Sequence, residues 1–201
     1  MPEDVGKMYD ELGVGYLQKI ENDSPKEFDE FLALVAPGEN VLDVGCAGGR
    51  DARRFADRGA KVFGVDLSPV FVEEARKLVP EGTFEVADAL DLPFPDGHFT
   101  KIWANAVFVH LPKAQLPDAL RSLARVLAAG GVLELRVKKE NPNATPEEVA
   151  QAKEGRADSF TYFTDDEVQD AISAAGLTLH EFKELPSRRP GLLWTKVRLT
   201  K

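Results

Sequence analysis

The chain carries a single cysteine, three histidines and no long apolar run. Each scarcity excludes something. Cys46, being alone, cannot close a disulfide within the chain, and nothing around it supplies a zinc cluster. A nucleophilic thiol would need a base nearby, and the flanking sequence offers none, so Cys46 reads as a small residue filling a tight turn. No apolar run approaches the ~18 residues that would span a bilayer, so no membrane partner is expected. The opening MPEDVGKMYDEL is acidic and lacks the basic-then-apolar layout of a secretion signal; a cytoplasmic protein is the expectation. The sequon Asn143-Ala144-Thr145 then carries no weight. Basic clusters are scarce too: the densest is Ser187-Arg188-Arg189, in a chain of formal net charge −9. That balance argues against nucleic acid as the main partner, because counterion release needs clustered Lys and Arg.

What is present is an ordinary globular composition, 43% hydrophobic and 29% charged over 201 residues. A chain of this length forms one domain and buries roughly 70% of its unfolded surface. Ser24-Pro25 reads as the cap and first position of a helix reaching Val35. Short apolar strands are expected at 41–44, 61–65, 83–86, 99–103 and 132–137, with helices at 50–58, 69–78 and 113–127 between them. Ser68-Pro69 caps one of these helices, and Gly130-Gly131 stops another. Residues 139–157 look like a polar surface insertion with one short helix. Thr164-Asp165-Asp166-Glu167 is a capping box opening a helix to Ala175, and strands near 177–184 and 192–199 follow. Five strand–helix alternations imply an α/β chain with a mostly parallel sheet and helices on both faces.

In such sheets ligands bind outside the carboxyl ends of the strands. Those ends here carry Asp43, Asp66, Asp88 and Asn105. Between the first two lies the turn Gly45-Cys46-Ala47-Gly48-Gly49, whose glycines permit a sharp bend and close backbone approach, with a helix N-terminus behind it. Asp66 follows the turn by about 20 residues, the spacing at which a carboxylate accepts hydrogen bonds from ribose hydroxyls. Asp88 is placed to meet an exocyclic amine. Charge decides between two cofactors. A pyrophosphate over the turn would face Asp43 across a partly buried site, an unfavourable contact. S-adenosylmethionine brings an ammonium and a sulfonium instead, and the run also lacks the dinucleotide spacing G-x-G-x-x-G.

These motifs together resemble the class I S-adenosylmethionine-dependent methyltransferases of the small-molecule type. VLDVGCAGGRD is similar to the first cofactor motif, FGVDLSP to the ribose-binding strand end, and EVADALDLPFPDGHFTKIWANAVFVHLP to the adenine loop with the fourth strand. ALRSLARVLAAGGVLEL and FTYFTDDEVQDAISAAGLTL resemble the family's later elements, so the likeness covers roughly residues 28–182. It implies a three-layer, doubly wound Rossmann-like sheet of seven mostly parallel strands, the last antiparallel. It implies one domain over 1–201, with an N-terminal helical lid or cap at 1–36 and an insertion near the active site at 139–163.

Carried onto this chain, Gly45, Cys46, Ala47 and Gly49 lie beside the methionine part, with Asp43 near its ammonium. Asp66 binds the ribose, Leu67 packs on adenine, Asp88 and Ala89 read its edge, and Asn105 sits under the methionine part. Tyr9 and Tyr16 in YDELGVGY resemble a family segment that covers the cofactor, Tyr16 on its side and Tyr9 toward the acceptor. His110 is the candidate base; a bond to a loop carbonyl before Leu111-Pro112 is its plain alternative. Arg136, Tyr162 and Phe163 are candidates for an acceptor pocket. No metal is expected. The chain departs from the family at Ala47, where many relatives have glycine. The expected activity is transfer of a methyl group to a small molecule, leaving S-adenosylhomocysteine, by a monomer or homodimer. A NAD-dependent oxidoreductase on a related fold and a non-catalytic cofactor-binding module are the alternatives.

Overall fold

A computed structural model describes residues 4–21, 24–139, 141, 143–148, 160–187 and 192–201. The basic pair Arg188-Arg189 and most of the expected 139–163 insertion lie outside the described residues. The elements run α1 (Asp4–Ile20), α2 (Glu27–Leu32), β1 (Asn40–Val44), α3 (Arg50–Asp57), β2 (Lys61–Asp66), α4 (Pro69–Leu78) and β3 (Thr83–Val86). Then come β4 (Phe99–Asn105), α5 (Leu116–Val126), β5 (Leu127–Lys139), α6 (Asp165–Ala174), β6 (Thr178–Pro186) and β7 (Leu193–Thr200).

One sheet of 7 strands results, in the order β3-β2-β1-β4-β5-β7-β6. The neighbours from β3 to β5 pair in parallel, and β7 runs antiparallel to both β5 and β6. The chain winds outward from β1 through β2 to β3, then returns to place β4 on the other side of β1. The crevice at this reversal, outside the carboxyl ends of β1 and β4, is where such sheets take ligands.

Apolar side chains cover both faces. On one, Leu120, Leu123, Val168 and Ile172 of α5 and α6 pack on Leu42, Ile102, Leu133 and Leu135. On the other, Phe28 and Phe31 of α2 lie with ring centroids 5.2 Å from fully buried Trp103. Each such side chain contributes about 1.5–3 kcal/mol when taken from water. The second face also holds charge. Lys196 of β7, fully buried, bonds Glu30 of α2 (2.8 Å) and lies 3.2 Å from Glu181 and 3.7 Å from Glu134. Arg198 reaches the other oxygen of Glu134 at 2.7 Å.

Local chemistry accounts for most element ends. The Ser68 hydroxyl accepts from the Phe71 N–H at 3.1 Å, with Pro69 at the first helical position. Thr164 and Glu167 form the reciprocal capping box. Several boundaries differ from the sequence expectation: α2 ends at Leu32 and not Val35, α5 starts at Leu116 and not at 113, and two further shifts have a visible cause. α2 begins after Lys26, not at Ser24-Pro25, because the Ser24 hydroxyl is engaged by Asp51 at 3.3 Å. β5 begins at Leu127, which pairs with Phe99 before a register shift; Val132 pairs with Lys101, and Gly130 turns between them with φ 72°.

Candidate functional site

A cavity of about 710 Å³ opens at the carboxyl ends of β1, β2 and β4, bounded below by the glycine turn and above by α1. The turn is fixed from beneath. Gly45 and Cys46 both donate their N–H to the Val65 carbonyl, at 2.8 and 3.0 Å. Asp66 ties the turn to the next strand: one carboxylate oxygen accepts from Ala47 N (3.0 Å) and the other from Ser68 N (3.0 Å). Gly45, at φ 72°, leaves no room for a side chain, since a Cβ there would lie 2.9 Å from Val107. Ala47 has φ 46° and Ala106, just after β4, has φ 59°. Among the described residues these are the non-glycine positions in the left-handed region, and both line the cavity. Such strain is held where surrounding structure over-determines it, commonly at ligand sites.

The floor of the cavity is acidic. Asp43 is buried, and its Oδ2 has no hydrogen-bond partner among the described residues. Burial pushes its carboxyl well above the usual carboxylate range; the neighbouring Asp51 and Asp66 push the same way, while Arg50 and the Ala52 N–H oppose them. Burial also raises Asp66, against the N–H groups of Ser68, Ala47 and Leu67. Asp51 differs in being fully engaged. Arg50 grips it with Nε and Nη2 at 2.8 and 3.0 Å, and the Trp103 indole N–H adds a bond at 3.1 Å. Burial, then Asp43 and Asp66, raise the Cys46 thiol, which leaves it protonated and inert.

The upper wall belongs to α1, which buries none of its residues and bends at Gly13 (φ 55°, ψ −157°). Its two arms are held mainly by polar and ring contacts. In the first, Asp10 accepts from the Ser68 hydroxyl at 2.5 Å and from Val70 N at 3.3 Å. Tyr9 beside it places its Oη 3.0 Å from His110 Nε2. In the second, the Tyr16 ring stacks on Phe71 at 5.9 Å, Leu17 lies over Gly48, and the Ile20 carbonyl accepts from Arg50 at 2.6 Å. His110 ends a 3-10 turn (Val107–His110) after β4 and packs against Phe160, with centroids 5.0 Å apart. The Phe160 ring also meets the ammonium of buried Lys138 at 4.7 Å, and Trp194 faces that ammonium at 4.7 Å.

Of the residues singled out from sequence, Asp43, Gly45, Cys46, Ala47, Asp66, Leu67, Ala89, Asn105, Tyr9, Tyr16 and His110 line this one cavity. Gly49, Asp88, Arg136, Tyr162 and Phe163 do not. Gly49 instead starts α3 at φ 84°, where a Cβ would press on Ala75 at 3.1 Å. Asp88 accepts from Leu90 N at 2.9 Å in a local turn. Arg136 stands behind the wall, donating to Asn105 (3.3 Å) and lying over Trp194 (4.9 Å). Phe163 is in the main core, and Tyr162 faces Lys138 at 5.8 Å. Arg50, Asp51, Leu17, Phe71, Ala106 and Val107 also line the cavity and were not anticipated. A charged pair in the first turn after the glycines was the available signal for Arg50 and Asp51; Phe71 and Leu17 read as ordinary packing positions.

The donor set suits a cation. Glu21, Asp43, Asp51, Asp66 and Glu74 line the cavity against Arg50 and Lys77, and those two are already bridged to Asp51 and Glu74. An ammonium could supply the missing partner of Asp43 Oδ2, whereas a pyrophosphate would add negative charge to an acidic, partly buried floor.

A methyltransferase-domain family profile matches residues 41–131, which span β1 to the start of β5. Over 101 residues the chain is 36% identical to an uncharacterized methyltransferase of Synechocystis sp., covering 50% of this chain and 48% of that protein. It is 39% identical over 106 residues to the 2-methyl-6-phytyl-1,4-hydroquinone methyltransferase of the same organism, covering 51% of this chain and 33% of that one. The chain thus spans about half or less of these curated relatives. Among solved structures it is similar to the [4+2]-cyclase SpnF, with TM-score 0.78 and 18% identity over 99% of this chain and 95% of that one. At that identity the likeness concerns the fold.

Proposed function

We propose that this chain is a class I S-adenosylmethionine-dependent methyltransferase and that it transfers a methyl group from S-adenosylmethionine to a small molecule. The observation that carries the reading is the buried Asp43 carboxylate, with one oxygen unbonded, set between the glycine turn and Asp66. When bound, S-adenosylmethionine supplies a methyl carbon activated by a positive sulfur. Everything else is asked of the chain's own residues.

In this reading Asp43 receives the ammonium and Asp66 accepts from the ribose hydroxyls. Leu67 packs on the adenine, Ala89 lies at its edge, and Asn105 supports the methionine part beside Gly45, Cys46 and Ala47. A carboxylate oxygen has two lone pairs, so the backbone bonds to Asp66 orient it and leave acceptor capacity for ribose. α1 (Asp4–Ile20), within the expected lid segment 1–36, serves as the lid over the cavity. By excluding water it raises the strength of each polar contact beneath it and fixes the reacting groups in line, which methyl transfer requires. We take the chain to act as a cytoplasmic monomer or homodimer, and the net charge of −9 supports the absence of a nucleic-acid partner. Among the described residues, no helix is long and apolar enough to cross a membrane.

Calorimetry tests the donor. S-adenosylmethionine and S-adenosylhomocysteine are expected to bind and NAD is not; a chain that binds NAD alone would overturn the reading. A second reading has the cofactor bound without methyl transfer, and the likeness to a structure named as a cyclase favours keeping it in view. Labelled methyl groups followed into a metabolite extract separate the two.

A further inference from the structure

The lid is fastened at two separate places, on either side of its bend at Gly13. Residues 4–12 are held at the start of α4, where Asp10 accepts from the Ser68 hydroxyl and from Val70 N. Gly6 lies so close over Leu67 there that a Cβ would meet its carbonyl oxygen at 2.7 Å. Residues 14–20 are held over the glycine turn, with Arg50 of α3 at their end. Its guanidinium makes two kinds of contact at once. Nη1 donates to the Ile20 carbonyl at 2.6 Å, one of those that a helix end leaves without a partner in the helix. Nε and Nη2 grip the two oxygens of Asp51 at 2.8 and 3.0 Å. Asp51 is anchored in its turn by the indole N–H of fully buried Trp103 at 3.1 Å and the Ser24 hydroxyl at 3.3 Å. The clasp therefore runs from the end of the lid into the packed core, along a cavity wall that both Arg50 and Asp51 line.

The same guanidinium enters the charge balance of Asp43. Asp51 and Asp66 push the Asp43 carboxyl up and Arg50 pulls it down, while the Cys46 thiol beside it stays protonated. From α1, α4 and the turn after β4, Tyr9, Tyr16, Glu21, Glu74, Lys77 and His110 line the same cavity, and Lys77 is bridged to Glu74 at 2.8 Å. We propose that Arg50 is a positioning residue that joins seating of the lid to capture of the donor's ammonium: it closes the end of α1 onto Asp51 and keeps Asp43 for the ammonium. The proposal rests on the methyl-donor reading above and adds the residue that links its two halves. With Asp51 engaged by the fork, the ammonium meets one unbonded carboxylate oxygen, Asp43 Oδ2. A guanidinium suits both tasks, since its planar fork gives two N–H groups to a carboxylate and still presents a third nitrogen to the carbonyl. A lysine ammonium would keep the charge and lose the span, so the mechanical and the electrostatic parts are separable.

The test uses the whole chain, its Arg50→Lys and Arg50→Gln variants, and S-adenosylhomocysteine, which carries the donor's ammonium and ribose and does not react. Amide hydrogen exchange of the unliganded chain reads the clasp. Residues 14–20 should exchange about tenfold faster in both variants, while residues 4–12 and the sheet keep their wild-type protection. Calorimetry across pH reads the charge. Arg50→Gln removes a positive neighbour from Asp43, so the pH below which affinity is lost should move up by about one unit. Arg50→Lys should leave that midpoint in place and release the ligand about tenfold faster. With 5′-methylthioadenosine, which has no amino-acid end, Arg50→Gln should not move the midpoint. Wild-type exchange at residues 14–20 in Arg50→Lys overturns the proposal. So does an equal loss of protection in residues 4–12 and the sheet, the mark of a merely structural residue, and so does an unmoved midpoint in Arg50→Gln. Arg50→Lys keeps the charge that buried Asp51 needs, and its exchange pattern decides the matter alone if Arg50→Gln does not fold. A wild-type chain that fails to bind S-adenosylhomocysteine would sink the donor reading itself, with the exchange result left standing.

Discussion

Two clusters of buried charge sit in this fold, and they are built on opposite plans. Under α2, Glu30, Glu134, Glu181, Lys196 and Arg198 close on one another, acid against base. Beside the glycine turn, Asp43, Asp51 and Asp66 share one guanidinium, Arg50, which is spent on Asp51. The first cluster completes itself and the second is left short of positive charge. A protein that holds like charges together without a partner gives up stability, and it does so where a ligand is to bring the missing charge.

The comparison breaks hardest at Lys196. Lys196→Met should leave Glu134 buried beside too little positive charge and cost about 3–5 kcal/mol of stability in a urea titration. Cofactor affinity of the folded variant should be untouched. On the other side, Asp66→Ala should weaken S-adenosylmethionine binding by about 1–3 kcal/mol in calorimetry, since charge-assisted bonds are lost. An affinity within about twofold of wild type would remove Asp66 from the ribose assignment. Asp43→Asn sharpens the contrast: affinity should fall by about 1.5 kcal/mol while the melting temperature of the unliganded chain rises, because a repelled buried charge is gone.

The pH dependence follows with its sign. The folded pKa of Asp43 and Asp66 lies above the unfolded value, so the folded state binds more protons in the window between them. Unliganded stability from these two groups therefore falls as pH rises through that window, while affinity for a cationic ligand rises with it. Glu30 runs the other way: its bond to Lys196 lowers it, so its contribution is lost as pH falls through its folded pKa. Melting and calorimetric series across mildly acid pH distinguish the two slopes, and parallel slopes would defeat the contrast. The smallest effect belongs to Ala47→Gly. Relief of the left-handed strain and the greater freedom of the unfolded chain oppose each other, each of order 1 kcal/mol, so stability should move by less than about that amount.

How much of this could be read from sequence depends on range. Ser68-Pro69 and the Thr164 capping box were legible because their partners lie within three residues. Of the strand-end acids, Asp43 and Asp66 line the cavity, whereas Asp88 accepts from Leu90 N in a local turn that the same sequence pattern could equally have signalled. Ala47 stood out as a departure from glycine, and its φ of 46° places it where glycine would be freest. The sheet's antiparallel last strand came through resemblance, not through any pattern in the strands themselves. Ser24 misled because its hydroxyl serves Asp51, 27 positions on, and not the helix beside it. Lys196 falls in the expected strand near 192–199, and nothing within that strand announces its burial, since its partners Glu30, Glu134 and Glu181 come from three other elements. Phe163 and Arg136 lay near the right end of the sheet, but proximity along a strand does not decide which side chains reach the cavity.

The contact between Tyr9 and His110 also has a kinetic side. Its loop is among the longest that any contact of α1 must close, and the entropy of closing such a loop is met before the contact repays it. α1 has no fully buried residue, and its half-buried rings gain their contacts only once Phe71 and the glycine turn are in place. Its seat needs β2, α4 and the turn after β4 to be in place, all of which are synthesised later. The segment made ahead of this fold is therefore the one that docks after it, and the cavity is finished last.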